Sequence, residues 1–245
     1  MSVRRVAVGV HRRLLELRAR DVTAQVAARP AVVLAPHADD ETIGCGATIA
    51  RKASAGTPVL VVVAGDGGSE LRRAECRAAC TRLGVEEQGL RFLGLPDGAL
   101  ESRRGELLAG MRGAVMAVNP RELFVPAAID QHADHRAVAT AVADLRADAL
   151  AGVTVYEYPV WFWNRWAWVD GGPAHRQAAQ LVRRVGCHLA TVRPRTVRTA
   201  EFLDVKRAAL GCYQSQLGDG GGRPGLDSEW LDLFLGRTEL FFEVP

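Results

Sequence analysis

The sequence predicts a three-layer α/β fold, a mostly parallel sheet with helices on both faces, and two observations lead there. From Ala31 onward, short β-branched runs alternate with longer helical patterns, the rhythm of strand–helix–strand units with right-handed crossovers. One run, "PVLVVVAG" at 58–65, is almost continuously apolar, as parallel strands covered on both faces are. At 245 residues, 48% of them hydrophobic, the chain is long enough to bury a substantial core as a single domain, 1–245.

The elements follow in order. "AVVLA" is the first strand of the alternation, and a helix runs through "TIGCGATIARKASAG". After "PVLVVVAG" comes the helix "ELRRAECRAACTRLG", whose final glycine, Gly84, is a stop signal because glycine accepts the left-handed turn that ends helices. "LRFLGL" is a strand, "ESRRGELLAGMRGAVMAV" a helix, "ELFVPA" a strand, "DHRAVATAVADLRADAL" a helix and "GVTVYEYPV" a strand. The rhythm then stops. Residues 160–200 read as an irregular, tryptophan-rich insertion near the active-site rim, with Trp161, Trp163, Trp166 and Trp168 packed closely together. A helix around "FLDVKRAALGCYQSQ", a Gly-rich loop "GDGGGRPG" and an apolar run "TELFFEV" close the chain, and residues 1–29 read as an amphipathic helical arm laid over the domain. No internal repeat or long linker interrupts this.

Composition excludes several classes. With 31 basic and 28 acidic residues the formal net charge is +3, so no strong field calls for nucleic acid or an anionic membrane. Lys52 and Lys206 are the only lysines. The five cysteines, Cys45, Cys76, Cys80, Cys187 and Cys212, are odd in number and contain no C-x-x-C pair, which argues against a disulfide framework or a cysteine zinc site. Cys76 and Cys80 read as small apolar fillers on one helix face. The amino terminus has too short an apolar stretch and too many arginines for a secretory signal, and no apolar run approaches the ~20 residues of a membrane span. The expectation is a protein of the reducing cytoplasm.

Two strands end in chemistry. "PHADDE" follows the first strand and puts His37, Asp39, Asp40 and Glu41 within five positions; "AIDQHADHRAV" follows "LFV" and adds Asp130, His132, Asp134 and His135. In an open parallel sheet ligands bind at the carboxyl ends of strands, so both clusters fall on one rim. Histidine and carboxylate donors together suit zinc, and a catalytic zinc keeps three protein ligands and one open position. His37 and Asp40 point the same way if a helix starts there, and His135 supplies a third donor. Asp39 is then left beside the ion within reach of a water, His132 faces the substrate, and Asp134 orients an imidazole. An Asp39 or Asp40 that merely caps the helix would explain one carboxylate and none of the histidines.

"APHADDETIGCGATIA", "RRAECRAACTRLGV", "LGLPDG", "DQHADHRAV" and "KRAALGCYQSQ" occur, from Val32 to Gln216, in an order that resembles the PIG-L/LmbE family of zinc-dependent N-deacetylases. The first and fourth correspond to its P-H-P-D-D-E and H-P-D-H motifs. The resemblance implies a Rossmann-like domain that hydrolyses the N-acetyl group of an amino sugar or glycoconjugate, a linear amide, with a small-molecule amino-sugar conjugate as partner. It makes His37, Asp40 and His135 the ligands of one divalent ion per chain, zinc with iron(II) as the alternative. It makes Asp39 the general base, and His132 with Asp134 the pair serving the oxyanion and leaving group; whether His132 or Asp39 protonates the amine stays open. Both motif prolines are alanine here, Ala38 and Ala133. Proline narrows the unfolded ensemble, so each loss costs about 0.5–1 kcal/mol without removing a ligand. Asp130 stands where the mycothiol-pathway deacetylases of the family carry a tyrosine near the oxyanion.

Arg72 matches a substrate-contacting arginine of that family, and Asp97, in "LPDG", a loop position facing sugar hydroxyls. Asp66, in "AGDGGS", lies on the same rim, although Asp-Gly is also a turn pair. Trp163 and its neighbours are candidates for a sugar platform, or equally for core packing or a contact between copies in a homo-oligomer. Three other readings stand beside the deacetylase. A phosphoesterase would need two bridged metals ~3.5–4 Å apart. A dehydrogenase would use "IGCGATIA" as a dinucleotide turn, but "PHADDE" occupies the pyrophosphate's place. A catalytically silent sugar-binding relative would have no use for Asp39.

Overall fold

Eight strands form one sheet in the computed structural model, which describes residues 3–146, 149–164, 174–217 and 228–245. The chain opens with α1 (Val3–Arg18), β1 (Arg20–Asp21) and α2 (Thr23–Ala28). Strands and helices then alternate as β2 (Ala31–Ala35), α3 (Asp40–Ser54), β3 (Val59–Gly65), α4 (Glu70–Arg82), β4 (Leu90–Leu95), α5 (Arg104–Val118), β5 (Glu122–Pro126), α6 (Ala133–Arg146) and β6 (Thr154–Tyr158). The remainder comprises α7 (Trp161–Asn164), α8 (Ala174–Thr191), β7 (Pro194–Arg198), α9 (Leu203–Leu210), α10 (Ser228–Leu231) and β8 (Thr238–Glu243).

The strand order is β1-β7-β8-β6-β5-β2-β3-β4, parallel throughout except where β8 pairs antiparallel with β6 and β7. From β2 the chain winds outward to β3 and β4, then returns to place β5 on the other side of β2. The order therefore reverses between β2 and β5, and a crevice opens beyond their carboxyl ends. Strand residues alternate between two cores. Val33 and Val61 point into one with Ile43, Ile49 and Leu210, while Val32, Leu34 and Val62 point into the other with Leu107, Met111 and Val138. This is the predicted three-layer α/β arrangement. The paired cores hold β2 and β5 rigidly, at about 1.5–3 kcal/mol per fully buried aliphatic side chain.

The glycines of "IGCGATIA" serve packing rather than a dinucleotide. A Cβ at Gly44 would collide with the Tyr158 ring, and one at Gly46 would lie 2.9 Å from Lys206 Cγ. Lys206 Nζ donates to Ile43 O at 2.8 Å and to Glu239 at 2.7 Å, and Glu239 in turn accepts from the backbone N–H groups of Ala47 and Thr48. Lys52, the other lysine, is fully buried against Glu122 at 2.8 Å. Both lysines are thus interior ion pairs joining α3 to distant parts of the chain.

Two expectations about organisation change. Residues 160–200 are largely regular: α8 covers Ala174–Thr191 and β7 covers Pro194–Arg198. The helix is legible in Leu181, Val185 and Leu189, spaced four apart and packed on the core. The amino-terminal arm is two helices, because Arg20 and Asp21 leave α1 to pair with β7. Trp166, Trp168 and the loop "GDGGGRPG" lie outside the described residues. Among those described, no helix is long and apolar enough to cross a membrane.

Candidate metal-dependent active site

Beyond β2 the chain passes through Pro36 and turns within three residues into α3. Asp39 makes this turn with φ 137° and ψ −35°, a region that costs a non-glycine residue about 1–3 kcal/mol and is retained mainly at functional sites. Its side chain makes no capping bond to α3, which removes the capping explanation. The turn brings the Asp40 carboxylate back beneath His37: Asp40 Oδ2 accepts from the His37 N–H at 3.1 Å and lies 3.2 Å from His37 Nδ1. Gln216 Nε2 donates to Ala38 O at 2.9 Å, holding the loop where the motif proline is missing. Ala133 is the first residue of α6, where proline would also have been favoured.

From the first turn of α6, His135 reaches the same carboxylate, its Nε2 3.1 Å from Asp40 Oδ2. His37, Asp40 and His135 therefore converge on one point. Each imidazole rests its other nitrogen on a second buried carboxylate. His37 Nε2 is 2.9 Å from Asp134 Oδ2, and His135 Nδ1 is 2.9 Å from Asp130 Oδ2. Such outer carboxylates fix the ring orientation and tautomer of metal-binding histidines. Asp134 is itself held by the N–H groups of Gly98 at 2.6 Å and Leu100 at 3.2 Å. The imidazole its carboxylate meets is that of His37, and it meets His132 through its backbone: Asp134 N–H donates to His132 Nδ1 at 3.3 Å.

The electrostatics favour a positive charge at this point. Burial opposes protonation of both rings, yet the bonds to Asp134 and Asp40 push His37 up to about 10, and Asp40 and Asp130 push His135 up to about 9. Against its own burial, Asp40 is held below the usual carboxylate range by His135 and His37. Asp39 behaves oppositely, its carboxyl pushed well up by burial and by the adjacent Asp40. Neighbouring carboxylates driven apart in this way are suited to different tasks, one as a charged ligand and one as an exchanger of protons.

The donor set fits a divalent cation. His135 Nε2 is fully buried and makes no well-directed hydrogen bond despite its closeness to Asp40, an orphan that a metal ion would satisfy. The 3.1 and 3.2 Å donor separations approach the ~3.3 Å edge of a tetrahedron with ~2.0–2.1 Å bonds. His132 also brings a ring nitrogen within 4.8 Å of nitrogens of His37 and His135. It is less suited as the third ligand than Asp40, being half-buried with Nδ1 already accepting from Asp134. Burial, and then His37 and His135, lower its pKa.

Of the predicted substrate contacts, Arg72 and Asp97 meet at the mouth, Arg72 Nη1 donating to Asp97 Oδ2 at 2.5 Å and Nη2 to Gln216 Oε1 at 3.3 Å. Asp66 and Trp163 lie elsewhere. Asp66 is fully buried, accepting from Gly68 N–H at 2.7 Å and Arg73 Nε at 2.8 Å, so it secures the loop after β3. Trp163 is 3% exposed and packs edge-on against Phe162 and His11; it belongs to the core. The tryptophan at the site is Trp161, whose ring stacks on His132 with centroids 6.2 Å apart and on Trp230 at 5.2 Å. Asp130 is likewise a support rather than a stand-in for an oxyanion tyrosine. Besides His135 it accepts from Val160 N–H at 3.1 Å and Phe162 N–H at 2.8 Å, and so ties α7 to His135. Tyr213 braces the floor by donating to Glu41.

Residues 32–146 match the PIG-L family, described as GlcNAc-PI de-N-acetylase. No curated protein sequence matches the chain. Among solved structures, the zinc-inhibited form of teicoplanin deacetylase Orf2 aligns with 18% identity over 87% of this chain and 97% of its own, at a TM-score of 0.62. N,N′-diacetylchitobiose deacetylase from Pyrococcus horikoshii aligns with 19% identity over 89% and 84%, at 0.59. The 4-carboxy-2-hydroxymuconate hydratase GalB from Pseudomonas putida KT2440 aligns with 18% identity over 84% and 82%, at 0.56. At such identities the likeness is one of fold, and a fold hosts many chemistries.

Proposed function

We propose that the chain is a metal-dependent amidohydrolase removing an N-acetyl group from an amino sugar or glycoconjugate, a reading supported by the match of residues 32–146 to the PIG-L family. The observation that carries this reading is the convergence of His37, Asp40 and His135 at the sheet's switch point, with Asp39 beside them. Two structural relatives are deacetylases, of teicoplanin and of N,N′-diacetylchitobiose. A hydratase shares the fold, so family and donor set weigh more than shape. Five free cysteines support a cytoplasmic location.

Amide hydrolysis needs a strong nucleophile, stabilisation of charge on the carbonyl oxygen, and a proton for the departing amine. When bound by His37 Nδ1, Asp40 and His135 Nε2, zinc or iron(II) supplies Lewis acidity that draws the pKa of water from ~15.7 toward ~7 and polarises a carbonyl. Asp39 takes the proton from the attacking water, and the upward push that burial and Asp40 give its carboxyl suits it to hold that proton. His132, with Nδ1 committed as an acceptor, carries its proton on Nε2 and donates toward the developing oxyanion, where losing one donor costs ~10²–10³ in rate. Arg72 and Asp97, paired at the mouth, offer donors and acceptors to sugar hydroxyls.

Amine release from N-acetylglucosamine conjugates, measured with and without a chelator, tests the proposal. Release should be chelator-sensitive and restored by zinc or iron(II). Asp39→Asn should keep its metal while turnover falls about 10²–10⁴-fold. Ordinary turnover in Asp39→Asn, or release untouched by chelation, would refute the assignment.

A further inference from the structure

The α1 helix is apolar on two sides. Val8, His11 and Leu15 turn into the core, whereas Val6, Val10, Leu14 and Leu17, at helical spacing, face outward, with Leu17 67% exposed. Beside them α8 presents Val182, 73% exposed, and between the two helices runs a groove of about 650 Å³ whose exposed lining is apolar. Contiguous apolar surface of this kind marks an interaction site rather than ordinary surface scatter.

Charge identifies the partner. The two helices together carry eight arginines and a single acidic residue, Glu16. Glu16 is already engaged by Arg12 at 3.2 Å, Arg13 at 3.7 Å and Thr238 at 3.1 Å. Elsewhere in the chain acidic residues outnumber basic ones, and among the arginines of these helices whose side chains are described, Arg12 is buried while Arg13, Arg18 and Arg183 are exposed. Arg13, 70% exposed, follows Val10 by three residues and precedes Leu17 by four, and so shares their side of α1. Arg183, also exposed, precedes Gly186 of the groove by three. A second copy docked by the same surface would set arginine against arginine, since a two-fold contact pairs a patch with itself. An apolar stripe bordered by arginines is instead the pattern of helices lying in the headgroup region of an anionic membrane. We infer that the α1–α8 face docks the protein on an anionic lipid bilayer. The inference is independent of the hydrolase reading.

Sedimentation of the full chain with vesicles tests it, using phosphatidylcholine alone and equal parts phosphatidylcholine and phosphatidylglycerol, at low and high salt. Binding should be at least about tenfold stronger on the anionic vesicles and should weaken with salt. Arg13→Ala and Arg183→Ala should each reduce it about fivefold. Val10→Asp combined with Val182→Asp should abolish it, with helix content by circular dichroism unchanged. Equal pelleting on neutral vesicles, no pelleting at all, or a discrete dimer in light scattering that Val10→Asp dissociates would overturn the inference.

Discussion

His37 and His135 are buried among carboxylates and pushed up to about 10 and 9, whereas His11 and His188 are buried among aromatic rings and pushed down to about 4. The second pair sits with its rings 5.2 Å apart, His11 facing Phe162 and Trp163, and His188 facing Phe162 and Phe242. Burial alone lowers an imidazole's pKa; only when carboxylates such as Asp40, Asp130 and Asp134 share its desolvated space does it become a place for a cation. The same side chain is thus disposed to meet a cation at one site and to pack at the other, and the neighbours decide which.

The largest effect that could break this contrast comes from removing the histidines themselves. His37→Ala and His135→Ala should each lose the bound metal and with it about 10⁴-fold or more in turnover, while His11→Ala keeps both; metal analysis and amine release on the purified variants measure this. Next come the two tryptophans, one from each region. Trp163→Ala should cost about 3–5 kcal/mol in denaturant unfolding with turnover per folded molecule retained. Trp161→Ala should instead slow turnover, by way of His132, at a smaller cost in stability.

Smaller again is the effect of the outer carboxylates. Asp130→Asn or Asp134→Asn should weaken metal affinity about 10–100-fold in a chelator competition, whereas Asp66→Asn, although Asp66 is equally buried, should leave it unchanged. The smallest effect concerns acid. His11 and His188 have folded values near 4 against 6.5 unfolded, so between those pH values the unfolded chain binds the extra protons. The stability they permit is full above pH 6.5 and falls as pH drops toward 4. His11→Phe should reduce that slope by about half, as read from urea midpoints across the window.

Much of this site was legible because it lies where local pattern and topology agree. "AVVLA" and "ELFVPA" are strands by composition, and the charged residues that end them have no role in a core, so their meeting at the rim followed from the parallel sheet. What stayed hidden depends on tertiary contacts. Asp130 precedes His135 by five residues and could equally have faced solvent; only the placement of Val160 and Phe162 turns it inward. Trp161 and Trp163 are indistinguishable as sequence, and α7 sends one to His132 and the other to His11. Asp66 carried a turn signal that proved its whole role, and the glycines of α3 answered to Tyr158 and Lys206, which lie far along the chain.

The most direct test of the central claim is a cobalt(II) titration of the metal-free protein followed by visible absorption. The account predicts saturation at one ion per chain with a low-coordinate spectrum, abolished in His135→Ala and intact in His11→Ala. Two equivalents of tightly bound ion, or the same spectrum in His135→Ala as in the parent protein, would contradict it.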